Sequence, residues 1–130
     1  MMELLIREPV EGDIPFLVST WRNALLYSSP TFQHVKKESL IKHYTPVILG
    51  LLGKSEVRVA CLESDPDIII GYAVTNVNIL HFVYIKKAWR NQGICNILLG
   101  ETKYKHLTHI TKTGLALAQK RGWAFDPFLI

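Results

Sequence analysis

Three apolar runs of strand length, residues 57–62, 68–75 and 79–85, follow one another with only short turns between them. Ser64-Asp65-Pro66-Asp67 separates the first pair and Asn76-Val77-Asn78 the second. Such connections are too short for a helical crossover, so neighbouring strands must pair antiparallel as a meander. Gly71 interrupts the middle run. The runs are nearly continuous in apolar character rather than alternating, which predicts a sheet covered on both faces by helices.

The segments on either side supply those helices. Residues 4–7 read as a first strand, broken at Pro9 and Gly12. Asp13 stands where a helix N-cap belongs, with Pro15 in the first turn. Ile14, Leu17, Val18, Trp21 and Leu25 then recur at helical spacing, so a helix is predicted to about Leu26 and a stop at Ser28-Ser29-Pro30. A second helix is predicted over 37–52, kinked or split near Tyr44 by Pro46 and stopped at Gly53.

After Ile85 the pattern becomes strand, basic turn, helix. Ile94, Ile97, Leu98 and Tyr104 follow helical spacing, and 107–110 reads as a short strand. A helix is predicted over 113–121, closed by Gly122, and a last strand over 124–130 whose Pro127 suggests a sheet edge. The order is β-α-α-β-β-β-α-β-α-β: a mixed α/β (α+β) fold, part antiparallel and part parallel, of about six strands flanked by helices.

The 130 residues are expected to form one domain, with no linker, repeat or low-complexity segment. No apolar run approaches the roughly 18 residues that span a bilayer, and no signal peptide is read at the start. Cys61 and Cys95 are too few and too far apart for a disulfide framework or a four-ligand zinc site, so no metal is expected and a reducing cytoplasm fits. Residues 1–85 carry a charge of −2, whereas 86–130 carry eight Lys/Arg against Glu101 and Asp126. That basic third suits a polyanionic partner, a nucleotide cofactor or a nucleic acid, although a solvated basic face explains charge alone.

The most informative segment is 79–95. A strand runs into Lys86-Lys87-Ala88-Trp89-Arg90-Asn91-Gln92-Gly93, and a helix begins at Ile94. The first amides of a helix have no internal partner and, with the helix dipole, attract anions. Gly93 lets the backbone approach a phosphate closely. Neither the Walker A nor the Rossmann glycine pattern is present.

Arg90-Asn91-Gln92-Gly93-Ile94-Cys95 resembles the [QR]-x-x-G-x-[GA] signature of the GNAT superfamily of N-acyltransferases, and Cys95 departs from its final Gly or Ala. Val83-Tyr84-Ile85-Lys86-Lys87-Ala88-Trp89 before it and Ile97-Leu98-Leu99 after it are similar to the family's flanking strand and helix, and the element order matches along nearly the whole chain. The compact length resembles small phage-encoded members. The family's last strand is either missing or merged into 125–130.

The resemblance implies acetyl-CoA as cosubstrate. Amides of Gln92, Gly93, Ile94, Cys95 and Asn96 would hold the pyrophosphate, with Arg90 and Lys87 as nearby cations. Backbone groups of Val83 and Ile85 would pair with the pantetheine arm where two strands splay. His81 matches the position of a catalytic histidine in the arylalkylamine members, and residues two apart on a strand share a face, so it should point with Val83 and Ile85. A core histidine bonded to backbone accounts for it equally. The usual general-acid Tyr is replaced by Ala118, which leaves Tyr84 and Tyr104 as substitutes. His106 and His109 read as surface or packing residues. Cys95 as an acyl-accepting thiol would rest on pKa lowering at a helix N-terminus. The aromatics Trp21, Tyr27, Phe32 and Tyr44, with His34, offer a wall for the acceptor, although Trp21 also suits the core.

Three functions follow: acetyl transfer from acetyl-CoA to a primary amine on a small molecule or protein, a non-catalytic module binding CoA or a polyanion, and a nucleic-acid-modifying enzyme of the same fold. A homodimer is one option for the assembly, and no membrane association is expected.

Overall fold

The computed structural model describes residues 3–130. A six-stranded sheet runs β1 (Leu4–Arg7), β2 (Glu56–Leu62), β3 (Asp65–Asn76), β4 (Ile79–Ile85), β5 (His106–Leu107) and β6 (Ala124–Phe125), in that spatial order. The first four strands are antiparallel, and β5 and β6 join in parallel. Helices α1 (Ile14–Ser28) and α2 (Lys37–Lys54) cover one face, while α3 (Ile94–Leu99) and α4 (Lys112–Arg121) cover the other.

Each face has its own core. Trp21 of α1 is fully buried and stacks on Phe82 of β4 with ring centroids 4.9 Å apart. Leu17, Leu25, Leu40, Ile48, Leu51 and Tyr72 complete that cluster. Opposite, Ile70, Leu80, Ile94, Leu98, Leu99 and Leu107 pack together. This two-sided burial is what the continuous apolar runs require.

Several local expectations are corrected. α2 runs unbroken through Pro46 and past Gly53 to Lys54. Proline inside a helix costs about 3 kcal/mol, but each fully buried Leu or Ile contributes roughly 1.5–3 kcal/mol. Burial of Leu40, Ile48 and Leu51 on one stripe therefore outweighs the break. Asp13 does not cap α1. A 3-10 turn, Glu11–Asp13, runs directly into the helix, and the Asp13 carboxylate turns back to accept from Val10 N at 2.8 Å and from Arg7 at 2.7 Å. α3 ends at Leu99, because Gly100 takes φ 63 and its N–H closes on Asn96 O. Tyr104 lies beyond the helix, packed edge-on to Trp123.

β5 begins one residue earlier than the 107–110 expectation and holds two residues. The last strand holds only Ala124–Phe125, and Phe128 N and Leu129 N turn back onto Asp126. The sheet thus ends at β6, at an edge, and a further strand is not merged into 126–130. Gly71 does not interrupt β3. It pairs with Ile85, and a Cβ there would meet Tyr84 O at 2.4 Å and Ile85 Cδ1 at 2.7 Å.

Candidate functional site

The β4–β5 ladder is short. Ile79 pairs with His106 and Leu80 with Leu107, Thr108 N donates to Leu80 O at 3.2 Å, and the strands then part. Lys86 N donates to Ile70 O on β3 at 2.8 Å. By antiparallel alternation the backbone groups of Val83 and Ile85 therefore face the parting. Ile85 O accepts there from Arg90 Nε at 3.0 Å.

The chain leaves β4 through a 3-10 turn, Lys87–Trp89, and enters α3 through two left-handed residues, Asn91 at φ 63 and Gly93 at φ 77. Among the described residues, nothing lies within 4 Å of the position a Gly93 Cβ would take. Ile94 is buried and anchors the helix start. Gln92, Gly93 and Asn96 are exposed. Cys95 is half-buried and packs against the second core. Burial pushes the Cys95 thiol up, with Arg121 opposing, which reverses the thiolate expectation.

Arg121, at the end of α4, donates to Asn96 Oδ1 and lies over the Trp123 ring. With Arg90 and Lys87 it makes the rim of the turn cationic, and only its sequence position beside the helix-ending Gly122 hinted at a place there.

The catalytic candidates occupy different surroundings. The β3–β4 register slips between Val74 and Thr75: Thr75 pairs with Leu80 and Val74 with Phe82, so His81 has no partner opposite. This bulge breaks the two-residue alternation, and His81 does not share a face with Val83 and Ile85 on that count. His81 is 1% exposed, with Nδ1 at 2.9 Å from Thr108 Oγ1. Thr108 Oγ1 is 2.8 Å from His109 Nδ1, which also lies 3.1 Å from His81 O. His109 Nε2 meets Tyr44 Oη of α2, and the ring stands edge-on to Trp21. His109 is thus buried in the α1–α2 layer rather than at the surface, and the sequence held no local signal joining it to Tyr44.

Burial lowers both imidazoles to about 4, with Lys54 adding to the effect at His81 and His81 at His109. Burial also raises the Tyr44 phenol to about 12. Tyr84 packs edge-on to Phe16 of α1 and beside Tyr72. The Tyr104 hydroxyl is buried and donates to Leu99 O at 3.4 Å, a structural contact. Ala118 is buried in the α3–α4 core.

Of the aromatic wall, Trp21 is core, Phe32 packs edge-on to Tyr44, and Tyr27 and His34 are exposed. Trp21 Nε1 and Ser29 Oγ are buried with no hydrogen-bond partner among the described residues. A groove of 470 Å³ lined by Arg7, Glu8, Ser55 and Arg58 lies on the β1–β2 side, away from the parting.

No family model and no curated protein matches the chain. Solved structures do match in fold. A GCN5-related N-acetyltransferase from Rhodopseudomonas palustris aligns with TM-score 0.55 at 12% identity, over 94% of this chain and 70% of that one. YjaB from Escherichia coli, in its apo form, aligns with TM-score 0.54 at 17% identity, over 75% and 63%. A GNAT phosphinothricin acetyltransferase from Sinorhizobium meliloti, in complex with AcCoA, aligns with TM-score 0.50 at 20% identity, over 78% and 58%. The chain spans less than two thirds of the length of the last two.

Proposed function

We propose that this chain, which has the GNAT acetyltransferase fold, binds acetyl-CoA at the parting of β4 and β5 and transfers the acetyl group to a primary amine on a small molecule or protein. The observation that carries the reading is the turn 90–96 set beside that parting. Gly93, left-handed and open above, lets the first α3 amides face an incoming pyrophosphate, while Val83 and Ile85 offer backbone pairing to the pantetheine arm. Lys87, Arg90 and Arg121 supply positive charge at the same rim. The Cys95 departure is compatible with this, because its side chain packs against the second core.

The chemistry is transfer between sulfur and nitrogen. A neutral amine adds to the thioester carbonyl, CoA leaves, and the nitrogen loses a proton. Ala118 supplies no acid, so the proton steps fall to other groups. His81 contributes through Thr108 and His109 rather than by touching the amine, since its ring is enclosed. Tyr84, half-buried on the same strand, is the phenol that β4 itself carries. The two unpaired cysteines suit a reducing cytoplasm.

The test is thiol release from acetyl-CoA with and without a panel of primary amines. Amine-dependent release supports the transferase. Binding of acetyl-CoA with no release on any amine supports the binding module instead, favoured by Ala118. Salt-dependent affinity for DNA or RNA would favour the nucleic-acid reading suggested by the basic third.

A further inference from the structure

The hydrogen-bond directions in the Tyr44–His109–Thr108–His81 cluster follow from one group. His81 O is a carbonyl and only accepts, so the hydrogen between it and His109 belongs to His109 Nδ1. In the neutral imidazole Nε2 is then an acceptor, and Tyr44 donates its hydroxyl hydrogen to it. Thr108 Oγ1 accepts from the same Nδ1–H and donates to His81 Nδ1. The chain runs one way, from Tyr44 inward. With its hydrogen committed to His109, the Tyr44 oxygen presents only lone pairs outward.

The position of that oxygen matters. His109 joins it to the backbone of His81, one residue past Leu80, where the β4–β5 ladder ends and the strands part. Tyr44 is the least buried member, half-buried beside Phe32, whereas Thr108, His109 and His81 are enclosed. Of the four side chains, Tyr44 is the one that is not fully enclosed.

Resting on the transferase reading, we propose that Tyr44 is the residue that receives the acceptor amine, its oxygen taking an N–H hydrogen bond, and that His109, Thr108 and His81 are positioning residues that hold the phenol in that orientation. In the transfer the nitrogen bonds the carbonyl carbon and the C–S bond breaks. CoA leaves as a thiolate and takes a proton from solvent. The proton lost by the nitrogen passes to solvent, while the Tyr44 oxygen accepts the N–H hydrogen bond and keeps its own hydrogen in the bond to His109 Nε2. The depressed basicity of His109 keeps Nε2 unprotonated at neutral pH, so it accepts the Tyr44 hydrogen bond without taking the proton.

The experiment measures steady-state kinetics with saturating acetyl-CoA against phenethylamine, spermidine and a lysine peptide, with acetyl-CoA affinity measured separately by calorimetry. Tyr44→Phe is expected to lower kcat/KM for the amine by roughly ten- to a hundredfold, the loss of one hydrogen bond to a polar or charged partner, with acetyl-CoA affinity unchanged. His109→Leu should give a comparable loss, and His109→Gln, whose amide oxygen can accept from Tyr44, should recover part of it. Unchanged kinetics in Tyr44→Phe would overturn the proposal, as would an equal loss of acetyl-CoA affinity, which would make Tyr44 a cofactor or packing residue. Wild-type protein that binds acetyl-CoA yet acetylates none of the amines also overturns it while leaving the cofactor site standing. Absence of acetyl-CoA binding instead refutes the transferase reading itself.

Discussion

Lowering the pH from 7 to 5 is expected to destabilise the fold through the two enclosed imidazoles. Folded His81 and His109 titrate near 4, against an ordinary value of 6.5. Between those values the unfolded chain binds protons that the folded chain refuses, so stability rises with pH across the window and falls as pH drops through 6.5. Integrating between pH 7 and 5 yields about 2 kcal/mol per histidine and roughly 4 kcal/mol for the pair. Domains of this kind are typically stable by about 5–15 kcal/mol, so the effect is large. The charged groups facing the pair are Lys54 at His81 and the His81 imidazole at His109, and Tyr44 stays neutral throughout. The Asp13 carboxylate, held down by Arg7, loses its contribution only below its ordinary 3.8, outside the window. Urea unfolding at half-unit pH intervals measures the slope, with His81→Gln/His109→Gln as the comparison. A flat profile between pH 7 and 5, or the same slope in the double variant, would show that the two imidazoles do not set the pH dependence.

Gly71→Ala should destabilise by about 1–3 kcal/mol or more, because the added carbon meets the Tyr84 carbonyl oxygen, part of the backbone, at 2.4 Å. The urea midpoint reads it, and a midpoint equal to wild type would show that β3 and β4 can separate freely. Arg121→Ala should weaken acetyl-CoA binding several-fold and flatten its salt dependence, since one cation leaves the turn; calorimetry at two salt concentrations tests this. Trp21→Ala should cost about 3–5 kcal/mol, as it empties the stack on Phe82, and thermal unfolding follows it.

The parts of the fold legible in sequence were those encoded by contiguous pattern. β4 reads over 79–85 because one apolar run spans it between turn residues, and Gly122 closes α4 at φ 75 as a left-handed cap. α2 was illegible at Pro46 because the cost of the break is local while the compensating burial comes from α1 and the sheet. The bulge at His81 depends on cross-strand register, which no alternation within β4 reveals. The same limit applies to the surroundings of the site. The Gly93 turn is written in one hexapeptide, but His109 meets Tyr44 across 65 positions and Arg121 meets Asn96 across 25. Only folding brings them together.

Acetyl-CoA binding to wild type, Gly93→Asn and Gly93→Asp shows whether the pyrophosphate lies at this turn. Asn and Asp both tolerate the left-handed φ of 77 at this position, so their backbone strain is matched and charge alone separates them. A carboxylate about 5 Å from each phosphate charge opposes it by roughly 0.8 kcal/mol in water and about 3 kcal/mol near a protein surface. Calorimetry is expected to find one site in wild type, a modest loss in Gly93→Asn, and a further loss of at least about tenfold in Gly93→Asp. Equal affinity in the Asn and Asp variants, or no binding by wild type, would contradict a pyrophosphate site at this turn.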